Sequence, residues 1–333
     1  MLQATAQAMV APGKGVLAID ESHGTCGKRF AALGVECTEE TRRAYRGLLV
    51  TAPGIEEAIS GYILYDETIR QATDEGMAFP QVLSSKGIIP GIKVDTGAKD
   101  LALHPGEKVT EGLDGLRDRL AEYFELGARF AKWRAVIAIG EGMPSQACLV
   151  ANAHALARYA ALCQEANIVP MVEPEILLEG DHSIERCYEV SVQAWTILFE
   201  QMKEQGVALE GLILKTSMIL SGKNAENRAD AQTVAEMTVK GLMEAVPAEV
   251  GGVVFLSGGQ SPKESTIHLD LMNKIGGMPW PLSFSYGRGI QGPALETWGA
   301  DQNAIEDAQT KLVHRAKMNG MAARGEYDPA LDA

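Results

Sequence analysis

The chain has no stretch of about 18 consecutive apolar residues, so no segment qualifies as a membrane-spanning helix. Its first residues, MLQATAQAMVAPGKG, have neither the basic start and unbroken apolar core of a signal peptide nor the arginine content of a transit peptide. Basic residues are in deficit: 30 Lys and Arg face 44 Asp and Glu, a net charge of −14. That balance excludes a nucleic-acid or anionic-membrane partner, since both require basic surface, but leaves room for a small anion in a locally basic cleft. Cysteine is scarce and unpaired. Cys26, Cys37, Cys148, Cys163 and Cys187 form no CxxC, and an odd, scattered set fits buried thiols in a reducing cytoplasm.

Metal and cofactor motifs are also missing. The six histidines (His23, His104, His154, His182, His268 and His314) show no HxH or HExxH spacing, so neither a metal site nor a cofactor is expected. Residues 287–292 match GxGxxG, but they end the last β-rich run instead of opening the chain, which argues against dinucleotide binding. Neither a GxSxG nucleophile nor a P-loop occurs, and His182 falls in a loop with no assigned role.

What is present is a repeating unit. Eight short β-rich runs, 16–20, 62–66, 92–95, 129–137, 168–175, 211–216, 252–259 and 282–288, recur at roughly 30 to 45 residues, room for one crossover helix each. Amphipathic helical stretches lie between them, among them 121–128, 152–166 and 185–205. With 46% hydrophobic and 22% charged residues, the chain can bury a large core. Eight alternating units predict an α/β protein of the (β/α)₈ barrel type. An open doubly wound sheet is the alternative on pattern alone. No linker divides the chain, so residues 1–333 read as one domain, with 320–333 a short C-terminal tail.

Ionisable residues cluster at or near the C-terminal ends of the runs, the barrel face on which active sites are built. Asp20, Asp66, Asp95, Glu173, Glu175, Lys215 and Arg288 are placed there, while Lys132 and Arg134 sit in mid-run. Residues two apart on a strand share a face, so Lys93 with Asp95, Lys132 with Arg134, and Glu173 with Glu175 each project together. Trp133, between two inward cations, is expected to face the helices. Lys215 ends the apolar run LEGLILKTSM. An unperturbed lysine is neutral about once in 2,500 molecules at pH 7, but burial beside a second ammonium, with Lys132 the candidate, would expose a nucleophilic amine. Such an amine condenses with a ketone to an iminium, an electron sink for C–C cleavage, and Asp20, Glu173 and Glu175 offer carboxylates to move protons.

FLSGGQS after the seventh run and SYGRGIQG after the eighth fall where barrel enzymes hold phosphate on backbone N–H groups, with Ser257 and Arg288 as side-chain donors. A second anion clamp is expected in DESHGTCGKR, from Ser22, Thr25 and Arg29. Two clamps on opposite sides of one mouth would suit a substrate phosphorylated at each end.

The ordered motifs IKVD, FAKWR, VPMVEPEILLEGDH, ILKTSM, FLSGGQS and SFSYGR resemble class I fructose-bisphosphate aldolase from about residue 4 to residue 327. The resemblance implies a (β/α)₈ barrel, a cytoplasmic homotetramer, and reversible cleavage of fructose 1,6-bisphosphate to dihydroxyacetone phosphate and glyceraldehyde 3-phosphate. Sedoheptulose 1,7-bisphosphate fits the same motifs. It also implies Lys215 as the Schiff-base lysine, Glu173 as the acid/base with Glu175 beside it, and Lys132 and Asp20 as positioning and proton-transfer groups. Lys93, Arg134, Ser22, Thr25 and Arg29 match substrate and distal-phosphate contacts. Ser257, Gly258, Gly259, Ser285, Gly287 and Arg288 match the ketone-side phosphate cradle.

Thr96 and Ala138 stand where many members carry lysine, which implies a weaker positive field. Familiar members also continue into a flexible tail whose final tyrosine exchanges the enamine proton. Here GEYDPALDA ends the sequence, so Glu173, Glu175 or water is expected to take that step, with Tyr327 the alternative. Two other readings are a phosphate-binding barrel isomerase, which would form no iminium, and a scaffold that had lost Lys215 or Glu173.

Overall fold

The computed structural model describes residues 1–332. The eight β-rich runs form eight parallel strands: β1 (Gly15–Ala18), β2 (Ile59–Leu64), β3 (Ile89–Lys93), β4 (Phe130–Ile137), β5 (Val169–Ile176), β6 (Ile213–Thr216), β7 (Gly252–Phe255) and β8 (Leu282–Tyr286). Each pairs with its neighbours in sequence, and β8 pairs with β1 through Val16 opposite Ser285 and Leu17 opposite Tyr286. That closure rules out the open sheet.

Both faces of each strand are covered, which is why the runs read as nearly continuous apolar sequence. The outward positions, such as Leu17, Trp133, Val172 and Leu214, pack in one large core under the helices. Trp133 is fully buried as expected, its ring 5.5 Å from that of Tyr159 on the helix Gln146–Glu165.

The inward positions change character along the barrel axis. At the N-terminal end, Val16, Ile63, Phe130, Val169, Met171, Ile213 and Val254 form a separate apolar cluster, closed from below by Ala6, Met9 and Val10. Ala6 and Met9 belong to the N-terminal helix Leu2–Met9, which plugs the barrel. Phe130 fills the axis only because Gly91 on β3 has no side chain: a Cβ there would lie 2.2 Å from the Phe130 ring. Further along the same strands, the inward residues turn ionic. The plug therefore leaves one open end.

Several of the helices start on side-chain caps. Ser145, Ser183, Asp230 and Ser261 accept from the backbone N–H groups of Cys148, Arg186, Thr233 and Glu264, each cap worth about 1 kcal/mol. The helix expected over 121–128 runs instead from Leu116 to Glu125, because Gly127 takes a left-handed φ of +104° and ends it. The other two amphipathic stretches lie in the helices Gln146–Glu165 and Ile184–Glu204. A feature absent from the sequence reading is an antiparallel pair between β3 and β4, Gly97–Asp100 with Lys108–Glu111. No described helix is long and apolar enough to cross a membrane.

Candidate active site

Strand alternation carries the chemistry directly. On β4 the inward series Phe130, Lys132, Arg134 climbs from the apolar plug to the mouth, and on β5 Met171, Glu173, Glu175 does the same. The register sets Lys132 beside Lys93, and Arg134 beside Glu173. Lys215 stands on β6, opposite Val254 of β7. Asp20 follows β1 directly.

These groups meet in one buried cluster. The Lys215 ammonium lies 3.1 Å from Glu173 Oε1, and Lys132 lies 3.1 Å from Glu173 Oε2 and 2.7 Å from Asp20 Oδ2. Lys132, Glu173 and Lys215 are each almost fully buried. Burial alone would raise the Asp20 carboxyl, but Lys132 and Lys215 outweigh it and bring the group to about 2. Burial likewise opposes ionisation of Glu173, and Lys132, Lys215 and Arg134 overcome it, holding that carboxylate below its usual range. Burial would depress Lys132, but Asp20, Glu173 and Asp95 hold it above the usual lysine range. Lys132 is thus a fixed cation shared between two carboxylates, and Glu173 is an ionised base between two lysines.

Outer residues hold these strands in place. The Tyr159 hydroxyl donates to the carbonyls of Ala131 (2.6 Å) and Met171 (3.2 Å), tying β4 to β5 beside the inward Lys132 and Glu173. Trp195 Nε1 donates to Thr216 Oγ1 at 3.0 Å, immediately after Lys215. Such backing keeps the reacting groups in register.

Towards the mouth, Arg134 pairs with Glu175, and Lys93 lies 3.4 Å from Asp95. An open cleft of ≈ 420 Å³ is lined by Asp20, Ser22, Thr25, Arg29, Lys93, Lys132, Arg134, Glu173, Glu175, Lys215, Ser257, Gly258, Ser285, Gly287 and Arg288. Fifteen of the sixteen site residues expected from the sequence therefore share one cavity. Gly259 does not line it; a Cβ on that residue would face Leu178 at 3.4 Å. Gly258 and Gly259 both adopt left-handed backbone, with φ of +53° and +89°, so the turn after β7 needs glycine at each. Arg288 opens the helix Arg288–Ala300 behind Gly287, is exposed, and makes no ion pair among the described residues.

The two expected clamps are not on opposite sides of the mouth. Because β1 pairs with β8, the loop carrying Ser22, Thr25 and Arg29 adjoins the loop carrying Arg288. Lys93 and Arg134 continue the basic lining through β3 and β4.

Glu21 also lines the cleft and was not singled out from the sequence. It pairs with Arg29, accepts from Gln291 Nε2 at 2.6 Å, and lies 3.8 Å from Arg46, so it anchors the loop after β1. The only signal for it was its place in the AIDES motif, since strand alternation stops before it. Tyr327 lies elsewhere: its hydroxyl donates to Asp332 (2.8 Å), its N–H donates to Asp270 (2.9 Å), and it lines no part of the cleft.

Comparison with known proteins agrees with this geometry. The family model described as fructose-bisphosphate aldolase class-I matches residues 1–333. A protein of Xanthomonas campestris pv. campestris named "Probable fructose-bisphosphate aldolase class 1" is 59% identical over 327 residues, covering 98% of each chain. The chloroplastic fructose-bisphosphate aldolase 1 of Chlamydomonas reinhardtii is 49% identical over 98% of this chain and 86% of its own. The solved fructose-bisphosphate aldolase of Plasmodium falciparum, in complex with TRAP and a small-molecule inhibitor, superposes with a TM-score of 0.97 at 43% identity, covering 98% of this chain and 95% of that one. The chain belongs to the class I fructose-bisphosphate aldolases, metal-independent lyases that cleave fructose 1,6-bisphosphate reversibly through a lysine Schiff base.

Proposed function

We propose that Lys215 is the Schiff-base nucleophile of this reaction and that Glu173 moves its protons. The observation that carries the reading is a single carboxylate with one oxygen 3.1 Å from Lys215 and the other 3.1 Å from Lys132. Ionised Glu173 takes one proton from the Lys215 ammonium as its nitrogen adds to the ketose C2 carbonyl, and a second proton passes from that nitrogen to the former carbonyl oxygen, giving the carbinolamine. It then protonates the carbinolamine hydroxyl, which leaves as water and gives the iminium. Restored to its carboxylate form, Glu173 accepts the C4 hydroxyl proton while the C3–C4 bond breaks and its electron pair passes into the iminium, forming an enamine. Lys132 and Asp20 hold the ketose hydroxyls, and Lys132 keeps Glu173 ionised. Glu175, held by Arg134, stands next along the same strand as a further proton acceptor.

Ser257, Gly258, Gly259, Ser285, Gly287 and Arg288 are assigned to the ketone-side phosphate, Gly259 through its turn geometry. Ser22, Thr25, Arg29, Lys93 and Arg134 are assigned to the substrate and its distal phosphate. Borohydride reduction in the presence of dihydroxyacetone phosphate should fix a three-carbon adduct on Lys215. An adduct on another lysine, or activity abolished by a chelator, would overturn the assignment.

We further propose that residues 1–333 act as one domain with a short tail from 320, assembled as a cytoplasmic homotetramer. The unbroken repeat of β/α units and the five free cysteines support this. A solution mass near that of one 35.7 kDa chain would overturn the tetramer.

A further inference from the structure

The turn after β7 presents two left-handed glycines to solvent and cleft, and glycine gives such a turn great conformational freedom. One buried side chain limits it. Gln260 follows the glycines, and its backbone N–H donates to the Ser257 carbonyl at 2.9 Å. Its side-chain Nε2 donates to the same carbonyl at 3.1 Å. Both lone pairs of that oxygen are thereby used. The other end of the amide is held in turn: Gln260 Oε1 lies 2.6 Å from Nδ1 of His268, on the helix Pro262–Ile275. Gln260 and His268 are 7% and 4% exposed, so water competes little at either bond.

Donor and acceptor bookkeeping fixes the direction. With Nε2 on the Ser257 carbonyl, Oε1 must accept, so Nδ1 of His268 carries the proton. A flipped amide would set Oε1 against the Ser257 oxygen, two acceptors facing each other. In a planar trans peptide, the N–H of Gly258 points away from the Ser257 C=O. Gln260 sits behind the loop and does not line the cleft, whereas Gly258 does. Holding the Ser257 carbonyl back towards Gln260 therefore aims the Gly258 N–H at the cleft. Neither glycine amide donates to another group among the described residues.

We infer that His268 is a positioning residue for phosphate binding, acting through Gln260 to set the Gly258 N–H before substrate arrives. This rests on reading Ser257 and Gly258 as ligands of the ketone-side phosphate.

The test compares dihydroxyacetone phosphate with dihydroxyacetone as borohydride-trapped ligands of the intact enzyme. Half-saturation is measured for wild type, His268→Leu, His268→Asn and Gln260→Met. His268→Leu removes the donor and should weaken dihydroxyacetone phosphate about tenfold while leaving dihydroxyacetone unchanged. Asparagine places its Nδ2 donor near the former Nδ1, so His268→Asn should stay close to wild type. Gln260→Met keeps the packing and should reproduce the selective loss, which gives an independent measurement if His268→Leu folds poorly. Equal weakening of both ligands, no change in either variant, or a His268→Asn variant no better than His268→Leu would overturn the inference. A wild type that does not prefer the phosphorylated ligand would instead overturn the assignment of the phosphate site itself.

Discussion

Lys132 and Lys215 share a carboxylate but stand in different electrostatic positions. Lys132 offsets two buried acids, whereas Lys215 pairs only with Glu173, which keeps Lys132 as a second partner. Removing one member of a buried ion pair typically costs about 3–5 kcal/mol, because the remaining charge stays desolvated. Lys132→Met should fall in that range in denaturant unfolding, and Lys215→Met should lose less; the reverse order would contradict the charge arrangement.

Asp20 gives the cluster a pH dependence. Its folded value of about 2 lies below the ordinary 3.8, so the unfolded chain takes up this proton first on acidification. The contribution is fully present above the unfolded value and is lost as the pH falls through the folded one, about 2 kcal/mol in all. In unfolding measurements between pH 5 and pH 2, wild type should lose that much more stability than Asp20→Asn, and parallel curves would refute it. At the mouth, Arg288→Ala should weaken phosphorylated ketoses roughly 10- to 150-fold, the loss of one charge-assisted contact, and affect unphosphorylated ones far less. Equal effects on both would make the arginine structural.

For the strands, what matters is which side chains may point inward. β3 and β4 approach closely at the plugged end because Gly91 yields its inward space to Phe130. Gly91→Ala would force a methyl group into a fully buried ring that has the apolar plug around it. Overpacking of this kind costs about 1–3 kcal/mol. The denaturant midpoint should fall accordingly, and a second change, Phe130→Leu, should recover part of the loss. No recovery would locate the strain elsewhere.

Across the whole molecule, the C-terminal residues serve the outer helices, not the cleft. Asp332 pairs with Arg315, whose guanidinium is buried, and also accepts from the Tyr327 hydroxyl. Deleting residues 326–333 should therefore lower stability by a few kcal/mol through the stranded arginine. Cleavage and proton exchange on dihydroxyacetone phosphate should stay within a few-fold. A hundredfold fall in proton exchange in Tyr327→Phe, with the Schiff base still forming, would show that the tyrosine reaches the mouth during turnover, since a general acid contributes 10²–10⁴-fold.

The sequence by itself determined the eight strands and nearly all of the cavity lining. Strands buried on both faces must be apolar runs, and a period of two forces Lys132, Arg134, Glu173 and Glu175 to one side. These are local constraints, legible in a few consecutive residues. The pair Gly97–Asp100 with Lys108–Glu111 was not legible, because two short polar strands that bury only Thr110 leave no periodic pattern. Only the tertiary structure decided which lysine meets which carboxylate, that Glu21 holds Arg29, that Gly259 turns from the cleft, and that His268 reaches Gln260. It also set the two anion-binding loops side by side, since β1 and β8 meet only when the barrel closes. Each of these depends on groups brought together across strands or loops, and their separation in space is fixed by closure and packing, which no local periodicity encodes.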